Sequence, residues 1–256
     1  MSRPPVNNVP RDRFATNAHA LYSAIASLTL VALLAGCVTS QVEELRQART
    51  DLASFESVVV LGRQHDTGPQ TEESFMACVG EALATGDTPL KIYPDQAFVD
   101  GLFPWFEPGT APRGIGALAQ LLERPGVTEK IAKHDVRYLV WIDGATHYPD
   151  DGGGLSCAAG PGGGACLGFL WWEKDSSYEA KIWDLKRSQS VGLISAEASG
   201  TSYLPAFIVP VPLIARTQAA ACNGLAQQIK DFLVQDETAS ARRSDSSERL
   251  NGSIYR

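Results

Sequence analysis

One carboxylate lies in a sequence context that is typical of acid–base hydrolysis, the triplet Asp66-Thr67-Gly68. Such chemistry needs two carboxylates that share a proton at close range. The sequence has no second Asp-Thr-Gly triplet, and the residues before Asp66 are polar where a buried strand is needed. The triplet therefore favours an ordinary turn. A hydrolase that uses Asp66 with a carboxylate from elsewhere in the chain remains an alternative.

The other motifs that carry chemistry are incomplete or absent. Gly114-Ile115-Gly116 precedes a predicted helix, but the proline-rich stretch 108–112 stands where the strand of a dinucleotide-binding motif belongs. The sequence contains no GxSxG, SxxK or GK[ST] motif and no CxxC or HxxxH zinc spacing. We therefore expect no catalytic residue, no cofactor and no metal.

The N-terminal segment has the features of an export signal. A basic start with Arg3, Arg11 and Arg13 precedes an uncharged apolar run from Leu21 that is too short to span a bilayer comfortably. The run ends in Leu34-Ala35-Gly36-Cys37, which resembles the lipobox of bacterial lipoproteins. The resemblance implies that residues 1–36 are a signal peptide and that Cys37 carries a thioether-linked diacylglycerol and palmitate.

The residue after Cys37 and the net charge indicate where the mature protein is held. Val38 stands where the inner-membrane retention signal of such lipoproteins usually has Asp, so we expect a lipid-anchored outer-membrane protein that faces the periplasm. Loss of residues 1–36 changes the net charge from −7 to −9, which argues against nucleic acid and against electrostatic binding to anionic lipid. The alternative is that residues 21–36 form a membrane helix with an unmodified cysteine at its end.

Four further cysteines form an even set, as expected in an oxidising compartment. Cys157 and Cys166 bracket a glycine-rich segment whose ends meet with little strain, so we expect a disulfide there. Cys78 and Cys222 each lie on the apolar face of a predicted helix. A disulfide between them would contribute about 4–5 kcal/mol on the chain-entropy model. The alternative is that both are buried free thiols.

The hydrophobic pattern predicts one domain over residues 55–236. Strand patterns at Phe55–Leu61 and Tyr138–Ile142 alternate with amphipathic helices, and Tyr178–Leu185 forms a hairpin with Val191–Ser199. We therefore predict an α+β fold, an α/β sandwich-like arrangement in which helices pack on a mixed sheet with an antiparallel hairpin.

The segments on either side of this domain are polar. Residues 37–54 have little apolar face and are predicted to be a lipidated, helix-prone tether. Residues 237–256 are rich in serine and charge and are predicted to be a disordered tail.

Two apolar segments, Leu167–Trp172 and Leu204–Ile214, permit two interpretations. Prolines at 205, 210 and 212 exclude the second segment from a central strand or helix. We favour burial in the core for most of these two segments. If they lie exposed side by side, they mark a partner or membrane-contact surface, with Trp171 and Trp172 as the interaction candidates.

The predicted elements follow one another in a layout with a known counterpart. This layout consists of the lipobox, the Phe55–Leu61 strand beside a helix that begins near Thr71, the Tyr138–Asp143 strand and the Tyr178–Leu185 hairpin. It is similar to that of envelope lipoproteins of the curli-secretion-channel and penicillin-binding-protein-activator type. The resemblance implies an α/β domain on a lipidated tether, and it carries over no functional residue beyond Cys37. The glycine loop between two cysteines departs from that pattern and argues against a pore.

These observations favour a non-enzymatic, lipid-anchored envelope lipoprotein that acts as an assembly or protein-interaction module at the outer membrane, with other envelope proteins as partners. Two alternatives remain. One is the membrane-anchored hydrolase. The other is a small-molecule-binding lipoprotein in which the aromatic stretch Phe103–Phe106 lines a pocket.

Overall fold

A computed structural model describes residues 38–65, 70–107 and 109–252, with side chains described as far as Val234. Within these residues, seven strands form one open mixed sheet and five helices pack on it. The fold class predicted from the sequence is confirmed. In chain order the elements are β1 (Val38–Arg46), β2 (Ser57–Gly62), α1 (Glu73–Ala84), β3 (Ile92–Tyr93), α2 (Asp95–Gly101), α3 (Ile115–Leu122), α4 (Val127–Ala132), β4 (Val136–His147), β5 (Asp151–Gly160), β6 (Gly163–Asp184), β7 (Gln189–Pro210) and α5 (Thr217–Gly252).

The strand order divides the sheet into a parallel and an antiparallel half. The order is β1-β7-β6-β4-β2-β3, and β5 pairs with β6 away from this path. β2 runs parallel to β3 and β4, whereas the remaining pairs are antiparallel. Val58, Val59 and Val60 of β2 are all buried, because helices cover both faces of a parallel sheet.

Two apolar cores lie on the two faces of this sheet. On one face, α1 and α5 pack on alternate residues of β2, β4, β6 and β7, with Phe75, Tyr178 and Leu225 among the buried side chains. On the other face, α2, α3 and α4 cover the other set of residues, including Trp141 and Trp183. The alternation of side chains along each strand therefore supplies two cores from one set of strands.

Both disulfides that the sequence predicts are present. Cys78 of α1 is bonded to Cys222 of α5, 144 residues further along the chain. This bond joins the two helices that cover the first core. Cys157 and Cys166 stand directly opposite each other on β5 and β6, so the glycine-rich segment is a hairpin of two paired strands with a short turn.

The structure differs from the prediction at both ends of the domain. Residues 38–46, part of the predicted tether, form β1, which pairs with β7 along its whole length. Thr50 beyond it is buried and donates its hydroxyl to the carbonyl of Phe232. The folded part therefore includes residues from 38 onward that the sequence analysis assigned to a tether. At the other end, α5 continues to Gly252, through most of the segment for which the sequence predicts disorder.

A buried ion-pair cluster lies at the turn between β6 and β7. The Asp184 carboxylate is fully buried and accepts hydrogen bonds from the backbone N–H groups of Lys186 and Arg187 at 3.0 and 2.9 Å. Its second oxygen accepts from Arg137 Nη2 at 2.9 Å. Arg137 also donates to Asp51 and Glu56. One buried carboxylate thus closes the hairpin and neutralises a buried guanidinium.

Two buried tyrosines should make the fold sensitive to alkali. Burial raises the pKa of both Tyr138 and Tyr178 to about 12, against a usual value of about 10. A raised folded-state pKa stabilises the fold fully below about pH 10, and this contribution is lost as the pH rises to about 12. We expect the free energy of unfolding to fall by about 2–3 kcal/mol per tyrosine over that interval. Urea unfolding at several pH values should show a smaller fall for Tyr178→Phe, and an unchanged fall in that variant would contradict the prediction.

Candidate functional site

Strands β5, β6 and β7 extend beyond the sheet as an arm, which we define as residues 151–172 and 201–214. The pairing of β4 with β6 ends at Asp175, and that of β1 with β7 ends at Gly200. Beyond these points β6 retains β5 on one side and β7 on the other. The part of β6 that precedes Asp175 extends about 40 Å at about 3.3 Å per residue.

The arm exposes its apolar side chains, so the preferred assignment of both apolar segments to the core is wrong for most of their length. Leu167 and Phe169 on β6 lie opposite Phe207 and Pro205 on β7, and exposed fractions reach 67% at Leu167 and 77% at Phe207. Ile208 and Val209 are also exposed. Hydrophobicity alone does not distinguish such a surface from a core strand. The two segments lie side by side and exposed, which is the condition for a contact surface.

The two tryptophans predicted as interaction candidates lie nearer the root of the arm and are half-buried. The indole of Trp171 lies on Gly152 of β5, where an added Cβ would lie 2.9 Å from its Nε1 atom. Beside it, the rings of Phe169 and Tyr203 are 5.8 Å apart. Gly152 therefore leaves room for the indole of Trp171 over β5, next to residues of β6 and β7 whose rings pair.

The arm carries no charge along two long stretches. Asp, Glu, Lys, Arg and His are absent from residues 152–172 and from residues 201–215. Val38, the first described residue, pairs with Gly200 at the root of the arm. In the described part of the chain, none of the helices combines the length and apolar character needed to cross a bilayer.

A second candidate site is a cleft of about 720 Å³ at the carboxyl ends of the parallel strands. Such ends are where α/β sheets commonly bind ligands. Residues of β2, β4, α1 and α2 contribute to it, as do Phe106, Glu107 and Ala111; among the other lining residues are Arg63, His65, Glu73, Asp95, Arg113 and Trp141. The cleft borders the sheet face that α2 and α3 cover. Its volume is similar to that of many small-molecule sites.

Side chains from two adjacent strand ends meet in this cleft. Arg63 follows β2, and its guanidinium carbon lies 4.6 Å from the ring centre of Trp141 on β4. Asp143, two residues further along β4, lies 3.9 Å from Arg63 Nε and contacts His65 Nε2 at 2.8 Å. Burial lowers the pKa of the Arg63 guanidinium, the charge of Asp143 raises it, and the charge of Arg113 lowers it.

Two buried hydrogen-bond donors of the cleft have no partner among the described residues. They are Arg63 Nη2 and Trp141 Nε1. Neither a guanidinium nor an indole nitrogen can accept a hydrogen bond, so only an acceptor can satisfy them. Phe106 stacks on Trp141 with ring centres 6.1 Å apart. Thus one residue of the stretch Phe103–Phe106 does line the cleft, whereas Phe103 is exposed.

Two of the sites that the sequence predicts are not described by the structure. The predicted lipidation site Cys37 and the Asp66 triplet both lie outside the described residues. Among the described residues, no cluster of three His, Cys, Asp or Glu side chains is arranged to hold a metal ion. Sequence reasoning assigned no role to His65 and none to Arg63. The available signal was a polar segment directly after a buried parallel strand.

Comparisons with known proteins identify no family. No protein-family model and no curated protein matches the chain. Among solved structures, a PelC dodecamer from Paraburkholderia phytofirmans has 12% sequence identity and a TM-score of 0.34, over 77% of this chain and 95% of that chain. A second PelC dodecamer structure, of a point variant from the same organism, has 14% identity and a TM-score of 0.33 over 77% of this chain and 98% of that chain. These similarities are too low to support an argument about function.

Proposed function

We propose that this chain is a non-enzymatic outer-membrane lipoprotein, lipidated on Cys37, that acts as an assembly or protein-interaction module through its arm. The observation that carries the proposal is the exposure of apolar side chains along a charge-free pair of strands. Soluble monomers rarely expose a contiguous apolar patch of this kind without a partner for it. The non-enzymatic part of the proposal rests on the sequence, in which no catalytic framework is complete.

The strand edges of the arm favour a protein partner over lipid alone. Among the described residues, β5 pairs only with β6, and residues 206–210 of β7 have no strand on their outer side. Backbone N–H and C=O groups at an open edge need hydrogen-bond partners, which the hydrocarbon of a bilayer does not offer. A protein strand satisfies them and covers the apolar side chains at the same time.

The position of Val38 supports attachment at the membrane surface. Because Val38 pairs with Gly200, a lipid on the preceding residue would hold the root of the arm at the bilayer. Trp171, Trp172 and Tyr203 lie near this root, and tryptophan and tyrosine are the residues enriched at membrane–water interfaces. The arm then reaches its partner next to the membrane.

Photo-crosslinking in intact cells tests the arm directly. We expect p-benzoylphenylalanine at position 169 or 207 to give discrete protein adducts. The matched control is the same group at Glu197, which is exposed on the same strand and face as Phe207 but on the polar part of the sheet. Adducts at 197 equal to those at 207, or adducts with lipid alone, would overturn the proposal.

Removal of a single exposed aromatic side chain should weaken the complex without unfolding the protein. For Phe207→Ser we expect adduct formation from position 169 to fall at least about tenfold, as for a central interface aromatic. The free energy of unfolding should change by less than about 0.5 kcal/mol, since Phe207 is exposed. Phe55→Ser is the matched control, because Phe55 is 62% exposed and does not belong to the arm. Equal losses in the two variants would contradict a specific role for the arm.

The anchor has its own test. We expect Cys37→Ser to abolish palmitate incorporation and to shift the protein from the membrane fraction to the periplasmic fraction. A variant that still sediments with membranes and still incorporates palmitate would remove the lipid anchor from the proposal.

A further inference from the structure

We infer that the cleft beside β2 binds a small molecule through a carboxylate or phosphate group, which Arg63 Nη2 and Trp141 Nε1 hold together. The inference concerns a surface separate from the arm. It rests on the two buried donors described above, on their arrangement and on the charges around them.

The two unsatisfied donors belong to one arrangement of side chains. Trp141 is 4% exposed and the Arg63 side chain 13% exposed, and the guanidinium lies over the indole ring. A buried donor without a partner costs about 1–3 kcal/mol. Both side chains line the same cleft, so an acceptor group that enters between them from the cleft would satisfy both donors.

The charges around the two donors favour an acceptor that is an anion. Asp143 lies 3.9 Å from Arg63 Nε, beyond hydrogen-bond distance, and its other oxygen is taken by His65. Arg113 also lines the cleft, and its positive charge opposes that of Arg63. Both positive charges attract an oxyanion that enters the cleft. Planar guanidinium groups also match the oxygen pair of a carboxylate or phosphate.

The acidic side chains of the cleft indicate which groups the rest of the ligand carries. Glu73 and Asp95 line the same cleft and are exposed. Carboxylates accept hydrogen bonds from hydroxyl or ammonium groups, and they repel a second anionic group. The ligand class that fits is therefore a small molecule with one oxyanion and with hydrogen-bond donors on the remainder.

A titration observed by NMR tests the inference on the folded chain. The probes are inorganic phosphate and acetate, with sodium chloride at matched ionic strength as the control. We expect saturable shifts of the Trp141 indole N–H signal, assigned through Trp141→Phe, with phosphate or with acetate but not with chloride. The stronger of the two responses identifies the oxyanion that the site prefers.

The chain supplies a matched internal control. Arg124 lies over Trp105 with its guanidinium carbon 4.2 Å from the ring centre, and neither residue lines the cleft. We expect Arg63→Gln to abolish the Trp141 response while the Trp105 signal stays unchanged, and we expect Arg124→Gln to preserve the Trp141 response. Three outcomes would each overturn the inference: no saturable shift with either probe, equal shifts at Trp105, or a response that survives Arg63→Gln.

Discussion

Loss of the disulfide between α1 and α5 should lower the free energy of unfolding by about 2–5 kcal/mol. Cys78 and Cys222 are 144 residues apart, so the bond restricts a long loop in the unfolded chain. Cys222 is also fully buried among the residues of the first core. Guanidinium-induced unfolding of the Cys78→Ser/Cys222→Ser double variant measures the effect.

The second disulfide provides the comparison. Cys157 and Cys166 are nine residues apart, for which the chain-entropy model gives about half of the stabilisation of the long loop. This bond also lies in the arm, away from both cores. Loss of Cys157–Cys166 should therefore affect stability clearly less, and an equal or greater loss in the Cys157→Ser/Cys166→Ser variant would be incompatible with this account.

Replacement of Asp184 by alanine should destabilise the protein by about 3–5 kcal/mol, because it removes the fully buried carboxylate that neutralises Arg137 and leaves that guanidinium only its contacts with Asp51 and Glu56. Asp184 is fully buried and Arg137 is 5% exposed. The substitution also removes the acceptor for two backbone N–H groups in the β6–β7 turn. Chemical unfolding of Asp184→Ala measures the total.

A neighbouring carboxylate shows how much of the loss of stability depends on burial of the ion pair. Asp51 contacts the same guanidinium at 2.6 Å, but its side chain is 54% exposed. Exposed ion pairs contribute about 0–1 kcal/mol, so Asp51→Ala should cost far less than Asp184→Ala. Asp184→Asn should lie between the two, since it retains an acceptor for the turn. Similar values for Asp51→Ala and Asp184→Ala would show that burial does not determine the cost.

The parts of the fold that were predictable from sequence are those with strong local patterns. β2 and β4 are continuous apolar runs, and α1 and α5 place a cysteine on an apolar face. β1 was not predictable. Its partly buried residues are Val38, Val42 and Arg46, and this spacing of four resembles a helix. The polar residues between them hide the alternation that identifies a strand.

The candidate sites depend on contacts between distant residues, which one sequence does not reveal. The arm has the same apolar composition as a core strand, and only the end of pairing at Asp175 and Gly200 exposes it. At the cleft, His65 contacts Asp143, which is 78 residues further along the chain. Register between two parallel strands brings them together, and no local pattern specifies that register.

The attachment of β1 to β7 has a mechanical consequence. Nine residue pairs join the two strands, from Val38 opposite Gly200 to Arg46 opposite Gly192. If a membrane tether pulls on residue 37 along the strand axis, it loads this whole ladder in shear, so that the hydrogen bonds bear the force together. A pull across the strands would open them one at a time. The edge strand would then transmit tension from the tether to the sheet without separating from it.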